Sequence, residues 1–130
     1  MLPTQWFMNN IKYGNNASNE EIISYIRKYK FDTVYAGLTN GIYDIAGVNG
    51  GNLSLGMQKI TLLLRGILKN SKVIIFDEPL SGLDANTRKK VIKLINDISS
   101  NKTIIIITHD VEILPNMDVV IDLNKLVLKH

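Results

Sequence analysis

The run KVIIFD at residues 72–77 stops at Glu78 and Pro79, and TIIIIT at 103–108 repeats the pattern of a short, wholly apolar stretch. Runs of this kind, bounded by turn residues, are the mark of strands buried on both faces. Between them Asp84 can cap a helix over about 85–99, with Val91, Ile92, Leu94, Ile95 and Ile98 turned inward at helical spacing. Strand, helix and strand in this order predict a parallel pair joined by a right-handed crossover.

The first half reads differently. Residues 1–17 carry Pro3, Gly14 and several asparagines and are irregular apart from one short apolar turn at Trp6 to Ile11. Ser18 followed by Glu21 forms a capping box, and Ile22, Ile23, Ile26 and Tyr29 then recur at helical spacing, which predicts a helix over 19–30. The stretch GLTNGIYDIAGVNGGN, 37–52, is loop by its glycines and asparagines. Ser54 caps another helix, with Leu55, Leu62, Leu63, Ile67 and Leu68 as its apolar face and Asn70 at its end. After TIIIIT, a short helix near 110–114 stops at Pro115, and DVVIDL and KLVLKH read as two further strands joined by a tight turn. The expected class is α/β: a helical subdomain over about 10–70, then a mainly parallel sheet with flanking helices over 71–130, in one domain.

Composition removes several alternatives. Hydrophobic residues make up 45% of the chain and charged ones 21%, a balance that argues against wholesale disorder. There is no cysteine, so disulfides and thiolate metal sites are excluded. The net charge of +3 comes from scattered lysines, among them Lys28, Lys30, Lys89, Lys90 and Lys93, without aromatic interleaving. They read as a solvated helix face, and no direct nucleic-acid partner is expected. No apolar run approaches the ~20 residues of a membrane span, and MLPTQWFMNN lacks the basic-then-apolar order of a signal peptide. Any membrane link is expected to run through a partner.

In open parallel sheets, ligands sit beyond the carboxyl ends of the strands. Asp77 and Glu78 lie at one such end and His109 at the next, so two strand termini can present three chemically active groups to one crevice. Each group also has a structural reading: acids after strands often cap turns, and a single histidine is often a satisfied structural residue.

Taken together, VIIFDEP, SGLD and THD, all downstream of LSLGM at a helix start, resemble the ATP-binding cassette family, and the resemblance runs from about Asn10 onward. NNIKYG resembles the corresponding stretch of exporter-type cassettes. The resemblance implies a partial P-loop ATPase fold and hydrolysis of ATP. VIIFDE would be the Walker B strand, with Asp77 holding Mg²⁺ through water and Glu78 polarising the water that attacks the γ-phosphate. His109 matches the switch histidine that meets the γ-phosphate. SGLD looks like the D-loop, so Asp84 would help join two cassettes, a role that can coexist with capping its helix. LSLGM resembles the signature motif, whose Ser54 and Gly56 would face ATP held by a second cassette. Here Leu55 stands where the family has its first glycine and Met57 where it has glutamine, so weakened or altered closure on ATP is expected.

The resemblance also implies parts that these 130 residues do not hold. No G-x-x-x-x-G-K-[ST] phosphate loop occurs, nor is Gln5 placed where the family has its Q-loop glutamine. The chain therefore reads as the carboxyl-terminal portion of a cassette, inactive alone. Its expected partners are a missing Walker A segment, a second cassette and a transmembrane domain or subunit, at the cytoplasmic face of a membrane. Without the strand that feeds the phosphate loop, TIIIIT would show an apolar edge and DVVIDL would lose its neighbour, so the isolated chain is expected to be poorly soluble or partly folded. Two other readings share these motifs. One is a head of a chromosome-maintenance or DNA-repair ATPase, although no coiled-coil heptads occur here. The other is a non-catalytic partner that lends its signature end to a complete cassette or regulates it. The transported substrate and its direction are not written in these residues.

Overall fold

In the computed structural model, residues 6–34 and 54–126 are described, with side chains from Asn9 onward in the first segment. Helix α1 (Trp6–Lys12) is longer than the single turn expected, and α2 (Asn19–Lys28) starts where the capping box places it. The Ser18 hydroxyl accepts from the Glu21 N–H at 3.1 Å, while the Glu21 carboxylate accepts from the Ser18 N–H at 3.0 Å. A 3-10 turn at Phe31–Thr33 follows. Helix α3 (Leu55–Leu68) ends at Asn70, whose φ of 56° reverses the chain in the left-handed region that asparagine tolerates.

Strand β1 (Val73–Asp77), helix α4 (Ala85–Ile98) and strand β2 (Thr103–Ile107) form the expected unit. The strands are parallel, in register from Val73 opposite Thr103 to Asp77 opposite Ile107. One core joins both halves. Ile11, Ile22, Ile26 and Phe31 from the first segment, Ile60 and Leu64 of α3, Ile74 and Phe76 of β1, and Leu94 and Ile95 of α4 are buried in a single cluster. Tyr29 fastens α2 to α4 by donating its hydroxyl to Asp97 at 2.8 Å. Burial and this bond push the Tyr29 hydroxyl pKa up, and the same bond, with Lys93 beside it, draws Asp97 down.

Four expectations are corrected. The strands are not buried on both faces: Ile74 and Phe76 are covered, but Val73 and Ile75 on β1 and Ile105 and Ile107 on β2 are exposed. Helices α1 to α4 all contribute to the one core behind the covered face. On α3, Leu63 and Ile67 are buried as expected, but Leu55 and Leu62 are exposed, and Met57, Ile60 and Leu64 complete the buried face. DVVIDL forms no strand. Residues 118–122 are irregular, a 3-10 turn spans Leu123–Lys125, and Val119, Val120 and Ile121 are exposed. Strand geometry needs a hydrogen-bonded neighbour, and no described strand pairs with this segment. The helix expected near 110–114 is a 3-10 turn, Val111–Asn116, that includes Pro115. The loop expected over 37–52, the unassigned Gln5 and most of the KLVLKH strand lie outside the described residues.

Candidate active site

Glu78 and His109 meet at the carboxyl ends of the two strands. The Glu78 N–H donates to the Ile107 carbonyl at 2.8 Å, which extends the pairing by one residue and brings the carboxylate across to β2. The Glu78 backbone has φ of 49°, in the left-handed region, so the chain turns sharply just after the strand. Lys59 of α3 braces that turn by donating Nζ to the Glu78 carbonyl at 2.6 Å. Glu78 Oε1 then lies 2.8 Å from His109 Nδ1. The imidazole is 82% exposed and the carboxylate 33%, so the pair sits at an open surface. The hydrogen bond with Glu78, reinforced by the negative charges of Glu78 and Asp110, raises the His109 pKa above its ordinary value.

The Thr108–Asp110 loop builds a second contact to the same carboxylate. The Thr108 hydroxyl accepts from the Asp110 N–H at 2.9 Å and lies 3.4 Å from Glu78 Oε2. Arg88, on α4, reaches this loop with Nη1 at 3.3 Å from Asp110 Oδ1 and in contact with Glu112 Oε1. Through Nε, Arg88 also donates to the Leu83 carbonyl at 3.0 Å.

Asp77 lies beside Glu78 in the chain but on the open face of the sheet, sharing the alternation of Val73 and Ile75. It lines a recess of about 250 Å³ with Lys59, Ile75 and Pro79. Among the described residues no three His, Asp or Glu groups converge as a metal cage. A single exposed carboxylate nevertheless suits Mg²⁺, which keeps several waters and takes one or two carboxylates together with substrate phosphates. The donor chemistry of Asp77 fits that cation.

Ser54, Gly56 and Asp84 gather elsewhere. They line one groove of about 490 Å³ together with Thr33, Asn86 and Lys90. Ser54 caps α3, its hydroxyl accepting from the Met57 N–H at 3.2 Å. Asp84 caps α4, accepting from the Thr87 N–H at 2.8 Å and from its hydroxyl at 3.0 Å. These bonds, the backbone one first, hold the Asp84 carboxyl below the usual carboxylate range. Leu55 projects over Gly82, whose φ of 76° requires glycine and where a Cβ would collide with the leucine. The structure thus makes two groups of the six candidates: Glu78 with His109 at the strand ends, and Ser54, Gly56 and Asp84 around the groove, with Asp77 on the open face next to the first.

Sequence reasoning missed Lys59, Arg88, Thr108 and Asp110. Thr108 and Asp110 flank His109 inside the THD run, so their place was readable. Lys59 and Arg88 act across 19 and up to 24 residues, and nothing local marks them.

A family model described as "AAA domain, putative AbiEii toxin, Type IV TA system" matches residues 43–114, more than half of the 130. The ATP-dependent lipid A-core flippase of Chromobacterium violaceum is 32% identical over 117 residues, covering 89% of this chain and 20% of the flippase. The multidrug resistance-like ATP-binding protein MdlB of Buchnera aphidicola is 29% identical over 119 residues, with 92% and 20% coverage. The chain therefore spans about a fifth of the length of these relatives. A bacterial Atm1-family ABC exporter solved with ATP bound superposes with a TM-score of 0.77 at 24% identity, over 91% of this chain and 21% of that one, which shows the shared fold. By the model that matches more than half of its length, the chain belongs to the AAA-domain family, and it is similar in sequence and fold to a part of ATP-binding cassette exporters.

Proposed function

We propose that this chain is the signature-to-switch part of the ATPase module of an ATP-binding cassette exporter, and that it hydrolyses Mg·ATP only as part of a larger assembly. The observation that carries this reading is the Glu78–His109 pair, 2.8 Å apart on adjacent parallel strand ends. A carboxylate and an imidazole so placed divide the work of attack on a phosphoryl group. Glu78 retains acceptor capacity on Oε2, where its nearest partner, the Thr108 hydroxyl, is a distant 3.4 Å away. There it orients the attacking water and draws its proton.

His109 uses Nδ1 for Glu78 and leaves Nε2 to the nucleotide. A neutral ring that donates from Nδ1 offers only a lone pair at Nε2, which repels a phosphate oxygen. The raised pKa favours the protonated ring, whose Nε2–H can donate to the γ-phosphate. Asp77 would hold Mg²⁺ through water, and the cation supplies charge neutralisation at the phosphates.

The rest of the site comes from outside these residues. A phosphate loop supplies the cradle for the nucleotide. A second cassette places its own ATP against Ser54 and Gly56, with Asp84 at the joint, and a transmembrane domain or subunit anchors the module at the cytoplasmic face. In this arrangement residues about 10–70 act as the helical subdomain and 71–130 as part of the core. Leu55 over Gly82 favours a second reading, in which the chain serves mainly as a modified signature donor for a complete cassette.

The test is Glu78→Gln in the assembled transporter that carries this chain. Hydrolysis is expected to fall by about 10²-fold or more with ATP binding retained. Unchanged hydrolysis would overturn the assignment of Glu78 and favour the donor reading. The isolated 130 residues are expected to bind no ATP, as followed by a fluorescent ATP analogue.

A further inference from the structure

We infer that Arg88 is a positioning residue that ties the 81–84 turn to the Thr108–Glu112 loop, so that movement of the turn is felt at the Glu78–His109 pair. The inference deepens the proposed ATPase reading and rests on it.

The tie is a continuous line of polar contacts. Arg88 Nε donates to the Leu83 carbonyl at 3.0 Å, in the turn that leads into Asp84. Its Nη1 meets Asp110 Oδ1 at 3.3 Å and also contacts Glu112. The other Asp110 oxygen, Oδ2, lies 3.4 Å from the Thr108 hydroxyl, which itself lies 3.4 Å from Glu78 Oε2. Glu78 Oε1 closes the line on His109 at 2.8 Å. A planar guanidinium can hold a carbonyl through one edge and carboxylates through another, which a lysine ammonium on its single nitrogen cannot do in the same geometry.

The sensitive point is Thr108. Its hydroxyl oxygen already accepts from the Asp110 N–H, and its one proton faces two carboxylate oxygens at the same distance. Both separations are long for an O–H···O bond, so small shifts decide which acceptor takes the proton. With Arg88 engaging Asp110, that carboxylate has a cation to satisfy it and the Thr108 proton is available to Glu78. If the turn moves and draws Arg88 away, Asp110 competes for the proton and Glu78 loses a contact that fixes its rotamer. The Asp110 and Arg88 side chains are only 13% and 28% exposed, so this exchange takes place where water screens it less than at an open surface. Arg88 touches neither nucleotide nor water in this scheme. It acts through Asp110 and Thr108.

The test uses the assembled transporter and reads hydrolysis per bound nucleotide, which removes any fraction that fails to fold. Arg88→Gln is expected to lower kcat about tenfold with KM for ATP within about twofold of wild type. Combined with Thr108→Val, the loss is expected to be clearly less than the product of the single losses, because both changes cut the same line. Arg88→Lys is expected to recover only part of the rate. Multiplicative losses in the double variant, or full recovery with lysine, would overturn the tie, since the first is what an independent stabilising role gives and the second needs charge alone. Glu78→Gln run in parallel separates the two levels. Should it abolish hydrolysis while Arg88→Gln keeps the wild-type kcat, this inference fails and the ATPase reading stands; should Glu78→Gln hydrolyse normally, the ATPase reading fails first.

Discussion

The helical side of the molecule and the open face of its sheet are built from the same kinds of residue and end in opposite states. Ile11, Ile22, Phe31, Ile60 and Leu64 are wholly buried, whereas Ile75 is 62% exposed and Ile105 47%. The isoleucines do not differ; their neighbours do. The four main helices turn buried residues toward one core, and the second face of the two-stranded sheet keeps Val73, Ile75, Ile105 and Ile107 exposed. A two-stranded sheet with one apolar face uncovered is half of a layered α/β arrangement, in which both faces are normally packed.

This contrast can be broken most directly by large-to-small substitution. Phe31→Ala is expected to destabilise the fold by about 3–5 kcal/mol, as read from denaturant unfolding, because it empties a fully closed site. Ile75→Ala in the isolated chain should stay within about 0.5 kcal/mol of wild type. If the two costs were similar, something would be covering the sheet and the contrast would be false. Repeating Ile75→Ala in the larger assembly proposed above sharpens it: a cost rising by about 1 kcal/mol or more would show that a segment outside these residues packs there.

Gly82→Ala should cost about 1–2 kcal/mol from its left-handed backbone alone, and more if Leu55 cannot swing aside, as measured by the shift in unfolding midpoint. Ser18→Ala removes half of the α2 capping box and should cost about 1 kcal/mol, a purely local loss on the covered side. The smallest effect belongs to pH. The His109 pKa is raised by Glu78, so the pair's contribution is present below the ordinary imidazole value and fades as pH rises through the raised one. The stability difference between wild type and Glu78→Gln should shrink across that window, and a difference that grows with pH would contradict the pairing.

How far the sequence was legible follows the range of each interaction. The capping box at Ser18 and the caps at Ser54 and Asp84 were readable because their partners lie three residues away. The parallel pair was readable because apolar run, helix and apolar run have few alternatives. Burial on both faces was not, since KVIIFD would look the same whether one layer or two packed on it. DVVIDL has strand composition without a strand, because pairing is decided by a neighbour and not by the segment itself. At the site, Asp77, Glu78 and His109 were visible as residue types at strand ends. Their division into a hydrogen-bonded pair and a separate carboxylate depends on the alternation of β1 and on the turn at Glu78, and the braces from Lys59 and Arg88 come from distant helices.

The turn at Glu78 has a practical consequence. Its conformation is gripped at its own main-chain atoms, with the N–H held by the Ile107 carbonyl and the carbonyl by the Lys59 ammonium. The backbone at this position is therefore held by contacts that do not involve its own side chain. Exchanging the acid for its amide leaves both grips in place, so any change it produces reports the contacts of the side chain itself, the one to His109 included, and not a displaced backbone.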